Sequence, residues 1–335
     1  MRVLAISFCA IMVGCTTTKE PGSGSGTLID VSPAPIAEQP EPAPKVEPRR
    51  DIPRPIIAVV LSGGGARGLA HVGVLRVLHE AGVPIDMIIG TSVGALVGAK
   101  YASQPDIFEL EWMAQRVTKD DIFDFSFLSG TMGPVQGDAL LDFVGENFRD
   151  TAIESFKIPF VAIAADLATG EKVQFDTGDI RNALRASVSI PGVFRPFRYN
   201  DRLLIDGGVV ENIPVSTAHE RGADLVIASS VTKDVVASDI DNVVDVILQS
   251  ITIMMSGAAT EQLAAADVVI EPPIGDIGTM DFSQTKRSLQ QGVTTARAQL
   301  FSVYEAIERY YRTRGGKVPD DLAAIRHIAK RHHPN

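Results

Sequence analysis

From residue 56 onward, short β-branched apolar runs alternate with longer stretches of helical periodicity. Runs at 56–62, 87–90, 160–165, 203–206, 225–229 and 268–271 read as strands. Apolar positions spaced three and four apart predict helices over 66–81, 93–102, 107–117, 137–147, 240–265, 284–312 and 319–331. A more polar helical stretch covers 216–222. Continuously apolar strands such as Ile56–Ser62 suit a sheet buried on both faces. Strand–helix alternation of this kind predicts one α/β domain with a mainly parallel central sheet. No internal repeat breaks the pattern, and we bound this domain at 56–312, with a basic helical extension over 313–335.

The pattern fails upstream of residue 56. Residues 16–55 hold nine of the chain's twenty prolines, a Gly-Ser run at 22–26 and few large apolar residues. Such a stretch buries no core and reads as a tether over 15–55. Its forty residues span roughly 35 Å as a coil and about 120 Å as polyproline II. Before it, Arg2 precedes an apolar run from Val3 to Val13, then Gly14 and Cys15, which is the layout of a secretory signal over 1–14. Met12-Val13-Gly14-Cys15 resembles the lipobox of bacterial lipoproteins, although Met12 replaces the usual leucine. The resemblance implies a lipidated Cys15, a membrane surface as partner and a place in the bacterial cell envelope. Thr16 after that cysteine, where an Asp is absent, resembles an outer-membrane destination facing the periplasm.

Composition narrows the remaining classes. Lys+Arg 31 against Asp+Glu 41 gives a net charge of −10. The first fifty residues hold five of each sign, so the acidic excess belongs to the folded part. No basic excess supports nucleic acid as a partner. Cys9 and Cys15 are the only cysteines, which removes a disulfide framework and a thiolate metal site from the folded part. We expect no metal and no cofactor.

Two glycine loops and one acid carry the chemistry. Gly63-Gly64-Gly65-Ala66-Arg67-Gly68 follows the first strand and opens a helix. It satisfies the dinucleotide pattern G-x-G-x-x-G, which wants an acid at the C-terminal end of the next strand. Asp86 instead precedes that strand. The same geometry makes an anion hole, because N–H groups of a glycine turn at a helix start converge on negative charge. Arg67 either supports that loop or adds positive charge to it. Gly90-Thr91-Ser92-Val93-Gly94, again between strand and helix, is the G-x-S-x-G nucleophile elbow. An alternative role for Thr91 or Ser92 is to cap the following helix.

A nucleophilic serine needs a base. Ser92, Asp206 and His219 follow the order of an α/β-hydrolase triad, but His219 falls in the polar stretch 216–222 with nothing local to orient its ring. Asp206 is the other candidate, delivered by an apolar strand to Gly207-Gly208 at its C-terminal end. The two glycine loops and Asp206-Gly207-Gly208, taken in that order, resemble the patatin-like phospholipases. The stretch Ala186-Ser187-Val188-Ser189-Ile190-Pro191 resembles a further block of that family, and 261–282 resembles its bacterial branch. The likeness covers about 56–310. It implies a three-layer α/β/α sandwich, Ser92 as nucleophile, Asp206 as its dyad partner, and Gly63, Gly64, Gly65, Ala66, Arg67 and Gly68 as oxyanion hole. The implied activity is hydrolysis of acyl esters in phospholipid or lysophospholipid. Two other readings fit the motifs: an esterase or thioesterase acting on small acyl esters, and a tethered lipid-binding protein without turnover. Segments 122–128 and 247–255 are apolar enough to form a lipid-facing cap.

Overall fold

The computed structural model describes residues 52–125, 133–232 and 240–332. The expected signal, Cys15 and most of the tether lie outside the described residues, as does the second half of the apolar segment 122–128.

A single sheet organises the described chain. Its strands are β1 (Ile57–Leu61), β2 (Met87–Thr91), β3 (Phe160–Asp166), β4 (Lys172–Phe175), β5 (Phe197–Tyr199), β6 (Arg202–Asp206), β7 (Leu225–Ser229) and β8 (Val268–Ile270). They lie in the order β5-β6-β3-β2-β1-β7-β8, with β4 also paired to β3. The pairs β1–β2, β1–β7, β2–β3 and β7–β8 are parallel, and those among β3, β4, β5 and β6 are antiparallel. The helices are α1 (Ala70–Glu80), α2 (Val93–Ser103), α3 (Ile107–Arg116), α4 (Asp138–Asn147), α5 (Ile180–Ser187), α6 (Val215–Glu220), α7 (Val243–Ala264), α8 (Thr285–Thr313) and α9 (Asp320–His332).

The period-2 geometry of β1 divides the core into two layers. Ile57, Val59 and Leu61 pack with α1, α2, α3 and α8 on one face. Ala58 and Val60 pack with Val215 and Ala218 of α6 on the other, where Ala259 and Leu263 of α7 join them. Both faces of β1 are thus covered, which is why its sequence reads as an unbroken apolar run. The mixed α/β fold with a helix-flanked central sheet agrees with the sequence expectation. Helix α9 adds Leu322, Ile325 and Ala329 to the first layer.

Three elements escaped the sequence pattern. Strands β4 and β5 are short and mostly half-exposed or exposed, so neither shows an apolar run. Helix α5 is eight residues long and carries Arg181, Asn182 and Arg185 among its apolar positions. The helix expected over 66–81 begins instead as a tighter 3-10 turn, Gly65–Leu69, before α1.

The register of β3 positions the site. Strand β4 pairs with Ala162, Ile163, Ala164 and Ala165 along one edge. On the other edge Ile163 pairs with Thr91 of β2, while Ala164 pairs with Asp206 of β6. Strand β2 runs parallel to β3 and β6 runs antiparallel, so their C-terminal ends meet head to head along that edge. The residues leaving those two ends are Ser92 and Asp206.

Candidate active site

Ser92 leaves β2 in a conformation L-residues seldom adopt, φ 56° and ψ −126°. Such backbone costs of the order of 1–3 kcal/mol and persists only where its surroundings hold it. Two contacts do so. The Ser92 N–H donates to Ser187 Oγ at 2.9 Å, and that hydroxyl donates to the carbonyl of Ile163 at 2.6 Å. The residue that follows β2 is therefore tied to β3 through a side-chain hydroxyl. Gly94 lets α2 start close to β1, since a Cβ there would stand 2.3 Å from the Leu61 carbonyl oxygen. Ser92 precedes α2, yet its side chain makes no capping hydrogen bond. Its hydroxyl neighbours the Asp206 carboxylate, with which it shares the cleft and whose pKa it lowers. The capping alternative is thereby corrected for both residues, since Thr91 Oγ1 donates to the Glu211 carbonyl at 2.9 Å.

Asp206 is buried. Its N–H donates to the Ser189 carbonyl at 2.9 Å, and its Oδ1 accepts from the Gly208 N–H at 2.8 Å. Burial disfavours the charged carboxylate and raises its pKa from 3.8 to about 6, although the Ser92 hydroxyl and the hydrogen bond from Gly208 pull the other way. Ser187 and Ser189 thus hold Ser92 and Asp206, one through a hydroxyl and one through a carbonyl. Arg185 braces this segment by hydrogen bonds to Ser189 Oγ and to the carbonyls of Gln136 and Arg195.

The glycine loop lies beside Ser92, but its donors divide. The Gly63 N–H donates to Asn212, and the Ala66 N–H donates to the Thr279 carbonyl at 2.8 Å. These two are already used, so the six-residue oxyanion hole of the sequence reading contracts. Gly64 and Gly65 line the cleft with Ser92 and Asp206. Arg67 is buried, and its guanidinium donates to the carbonyls of Val231 at 3.2 Å and Ile277 at 3.0 Å. Burial lowers its pKa to about 10, which leaves it charged at neutral pH. Of the two roles read from the sequence, loop support is the one these hydrogen bonds serve.

His219 and His71 lie elsewhere. His219 is exposed on α6 and hydrogen-bonds the Ala265 carbonyl through Nε2. His71 is fully buried between Ser229 Oγ and the Ser62 carbonyl, and burial lowers its pKa to about 4, so it is a neutral tie between α1 and the sheet. Asp86 accepts from the Ile57 N–H at 2.8 Å and pairs with Arg54, at the opposite end of β2 from Ser92. Among the described residues, no group of three or more His, Cys, Asp and Glu is arranged to hold a metal ion.

Ser92 stands between two spaces. The outer cleft is lined by Gly64, Gly65, Asp206, Gly208 and the α7 residues Leu248, Ile251, Thr252 and Met255. The inner cavity is lined by Leu96, Val97, Met113, Phe123, Leu140, Phe143, Phe194 and Phe282, and Ser92 supplies its only polar side chain among the described residues. Two contributors had no role in the sequence reading. Ser187 lay inside a noted block without an assigned task. Asn212, buried in Glu211-Asn212-Ile213-Pro214, accepts from Gly63 and donates to Thr232 Oγ1 at 3.1 Å. A polar residue inside an apolar stretch just after Gly207-Gly208 was the available signal for it.

An uncharacterised NTE family protein of Mycobacterium tuberculosis is 38% identical over 190 residues, 56% of this chain and 52% of its own length. A second from the same species is 30% identical over 271 residues, 73% of this chain and 46% of its own. Patatin-like phospholipase domain-containing protein 7 of Rattus norvegicus is 35% identical over 183 residues, 52% of this chain and 13% of its own. The chain spans about half the length of the mycobacterial relatives it matches. The crystal structure of VipD from Legionella pneumophila shares the fold at a TM-score of 0.50 and 14% identity, over 77% of this chain and 67% of that one. Residues 59–219, which hold both glycine loops, Ser92 and Asp206, match the patatin-like phospholipase family.

Proposed function

We propose that the chain is a lipid acyl hydrolase of the patatin-like family, cleaving fatty acyl esters of phospholipid or lysophospholipid through a Ser92–Asp206 dyad. The observation that carries this reading is Ser92, on a strained turn, sharing one cleft with the buried carboxylate of Asp206 and bordering an apolar cavity. The lining of the inner cavity matches an acyl chain in chemistry, and its volume of about 30 Å³ requires it to widen to admit one.

Ser92 Oγ attacks the ester carbonyl while Asp206 accepts its proton. The oxygen that gains negative charge faces the N–H groups of Gly64 and Gly65, donors whose effect is greatest at the tetrahedral stage. When the tetrahedral species collapses, the C–O bond to the leaving alcohol breaks and the alcohol takes the proton from Asp206. Water then attacks the acyl-enzyme, with Asp206 again accepting a proton, and the fatty acid leaves as Ser92 Oγ recovers it. A carboxylate near pKa 6 is a better base for a hydroxyl than an ordinary one.

The test is incubation of the protein with defined phospholipids and lysophospholipids, with products identified by mass spectrometry. Free fatty acid should appear with wild type and be absent with Ser92→Ala. A fluorophosphonate probe should label wild type alone. Labelling without fatty acid release from any lipid, alongside turnover of short acyl esters, overturns the lipid assignment. No labelling and no turnover overturns the hydrolase.

The N-terminal segment belongs to the same proposal. Lipidation at Cys15 would hold the hydrolase at the bacterial envelope, on the outer membrane facing the periplasm, with the tether of 15–55 setting its reach. The lipobox-like Met12-Val13-Gly14-Cys15 and the proline-rich stretch after it support that placement.

A further inference from the structure

Helix α7 covers the cleft with one stripe and presents another outward. Leu248, Ile251, Thr252 and Met255, spaced as one helical face, line the cleft beside Ser92 and Asp206. On the opposite side Val243 is 73% exposed, and Val246, Ile253 and Met254 are 51%, 51% and 50% exposed. A helix apolar on all sides belongs in a protein interior or against lipid. Yet none of the α7 residues whose burial is described is fully buried. A large apolar stripe left open in this way marks a contact surface.

Charge identifies the kind of surface. The only charged residues of α7 are Asp245 and Glu261, and it holds no Lys or Arg. An anionic bilayer or a nucleic acid would meet repulsion here. A second copy seated symmetrically would bring the same acids against themselves. A surface without net charge meets neither obstacle. The outward stripe also belongs to the helix that lines the cleft, so a surface seated on it lies one helix away from Ser92.

We propose that the outward stripe of α7 docks the domain on a lipid surface of zwitterionic head groups, seating the cleft on the aggregate that supplies its substrate. The inference rests on the lipid hydrolase reading. Docking is apolar, so it needs no cationic contact and is insensitive to salt. Binding of this kind scales with the apolar area buried in the interface.

The full chain carrying Val246→Ser, Ile253→Ser and Met254→Ser together tests this. None of the three lines the cleft, and an unchanged melting temperature checks the fold. Hydrolysis of phosphatidylcholine vesicles should fall about tenfold or more, while hydrolysis of monomeric p-nitrophenyl butyrate stays at the wild-type rate. Equal loss on both substrates, or no loss on vesicles, overturns docking. A separate readout uses Ile253→Cys in a full chain with Cys9→Ser and Cys15→Ser, labelled with an environment-sensitive fluorophore. Phosphatidylcholine vesicles should shift its emission to the blue, with the same shift at high salt. No shift overturns docking even if the butyrate ester is hydrolysed, and a larger shift on phosphatidylglycerol overturns the choice of surface. Failure of wild type on every ester overturns the hydrolase alone, since the fluorophore still decides docking. A wild-type dimer that the triple-serine chain dissolves, without change on vesicles, assigns the stripe to a second copy and overturns the proposal.

Discussion

Asp206 sits under two opposed demands. Burial lifts its pKa to about 6, which suits a base but stores unfavourable energy in the fold. The folded chain holds this proton more tightly than the unfolded chain, whose carboxyl titrates near 3.8. Stability therefore falls as pH rises from about 4 through about 6, and the deficit persists above that. Its size is on the order of 3 kcal/mol. Asp206→Asn should consequently raise the melting temperature at pH 8, with the gain closing as pH drops towards 4. The same variant should lose about 10²–10⁴-fold in kcat/KM. In wild type, kcat/KM should climb with pH to a plateau above about 6, because only the carboxylate accepts a proton. His219→Ala should leave both profiles unchanged, since that ring is exposed and bonded to Ala265. A comparable loss from His219→Ala would replace the dyad with a triad.

Helices α1 and α8 cross at a pair of glycines. A Cβ at Gly292 would stand 2.0 Å from the Ala70 carbonyl oxygen, and one at Gly73 would stand 2.2 Å from that of Leu289. The 3-10 turn Gly65–Leu69 leads directly into α1, so this crossing also fixes the glycine loop. Gly292→Val should cost about 1–3 kcal/mol through overpacking and lower turnover beyond what unfolding explains. Thermal melts and kinetics on the folded fraction check both. Gly145→Ala on α4 is the control: open space surrounds it, and helix propensity alone should stabilise it by up to about 1 kcal/mol. The core elements were legible in the sequence because β1 and β7 are buried throughout and α1 has a clean apolar face. The elbow was legible for a similar reason, since its glycines answer to a close backbone approach. Strand β5 was not, because Phe197, Arg198 and Tyr199 owe their extended form to pairing with β6. Nor was the task of Ser187, whose meaning depends on the distant Ser92 and Ile163 being brought to it.

Charge is unevenly distributed along the whole chain. The net −10 arises after residue 50, and the cation-free stretch 234–285 contributes nine acids to it. An envelope protein with such a domain gains little attraction to anionic lipid, so its residence there would depend on the N-terminus. Cys15→Ala should move the protein from the membrane fraction to the soluble one or block its maturation. Unchanged fractionation, with no acyl label on wild type, overturns lipidation. Anchor and α7 would then divide the work, the first holding the chain near a bilayer and the second setting the orientation of the cleft.

The meeting of β2 and β6 on one edge of β3 has a mechanical consequence. Ser92 and Asp206 both take their position from a common rod, with Ile163 and Ala164 as adjacent reference points. Helix α7 takes no part in that pairing, although it packs against the turn Gly207–Val209 beside Asp206 and lines the cleft with Leu248, Ile251, Thr252 and Met255. Substitutions on its cleft face would therefore act first on which molecules reach Ser92, and substitutions on β3 first on the spacing of Ser92 and Asp206.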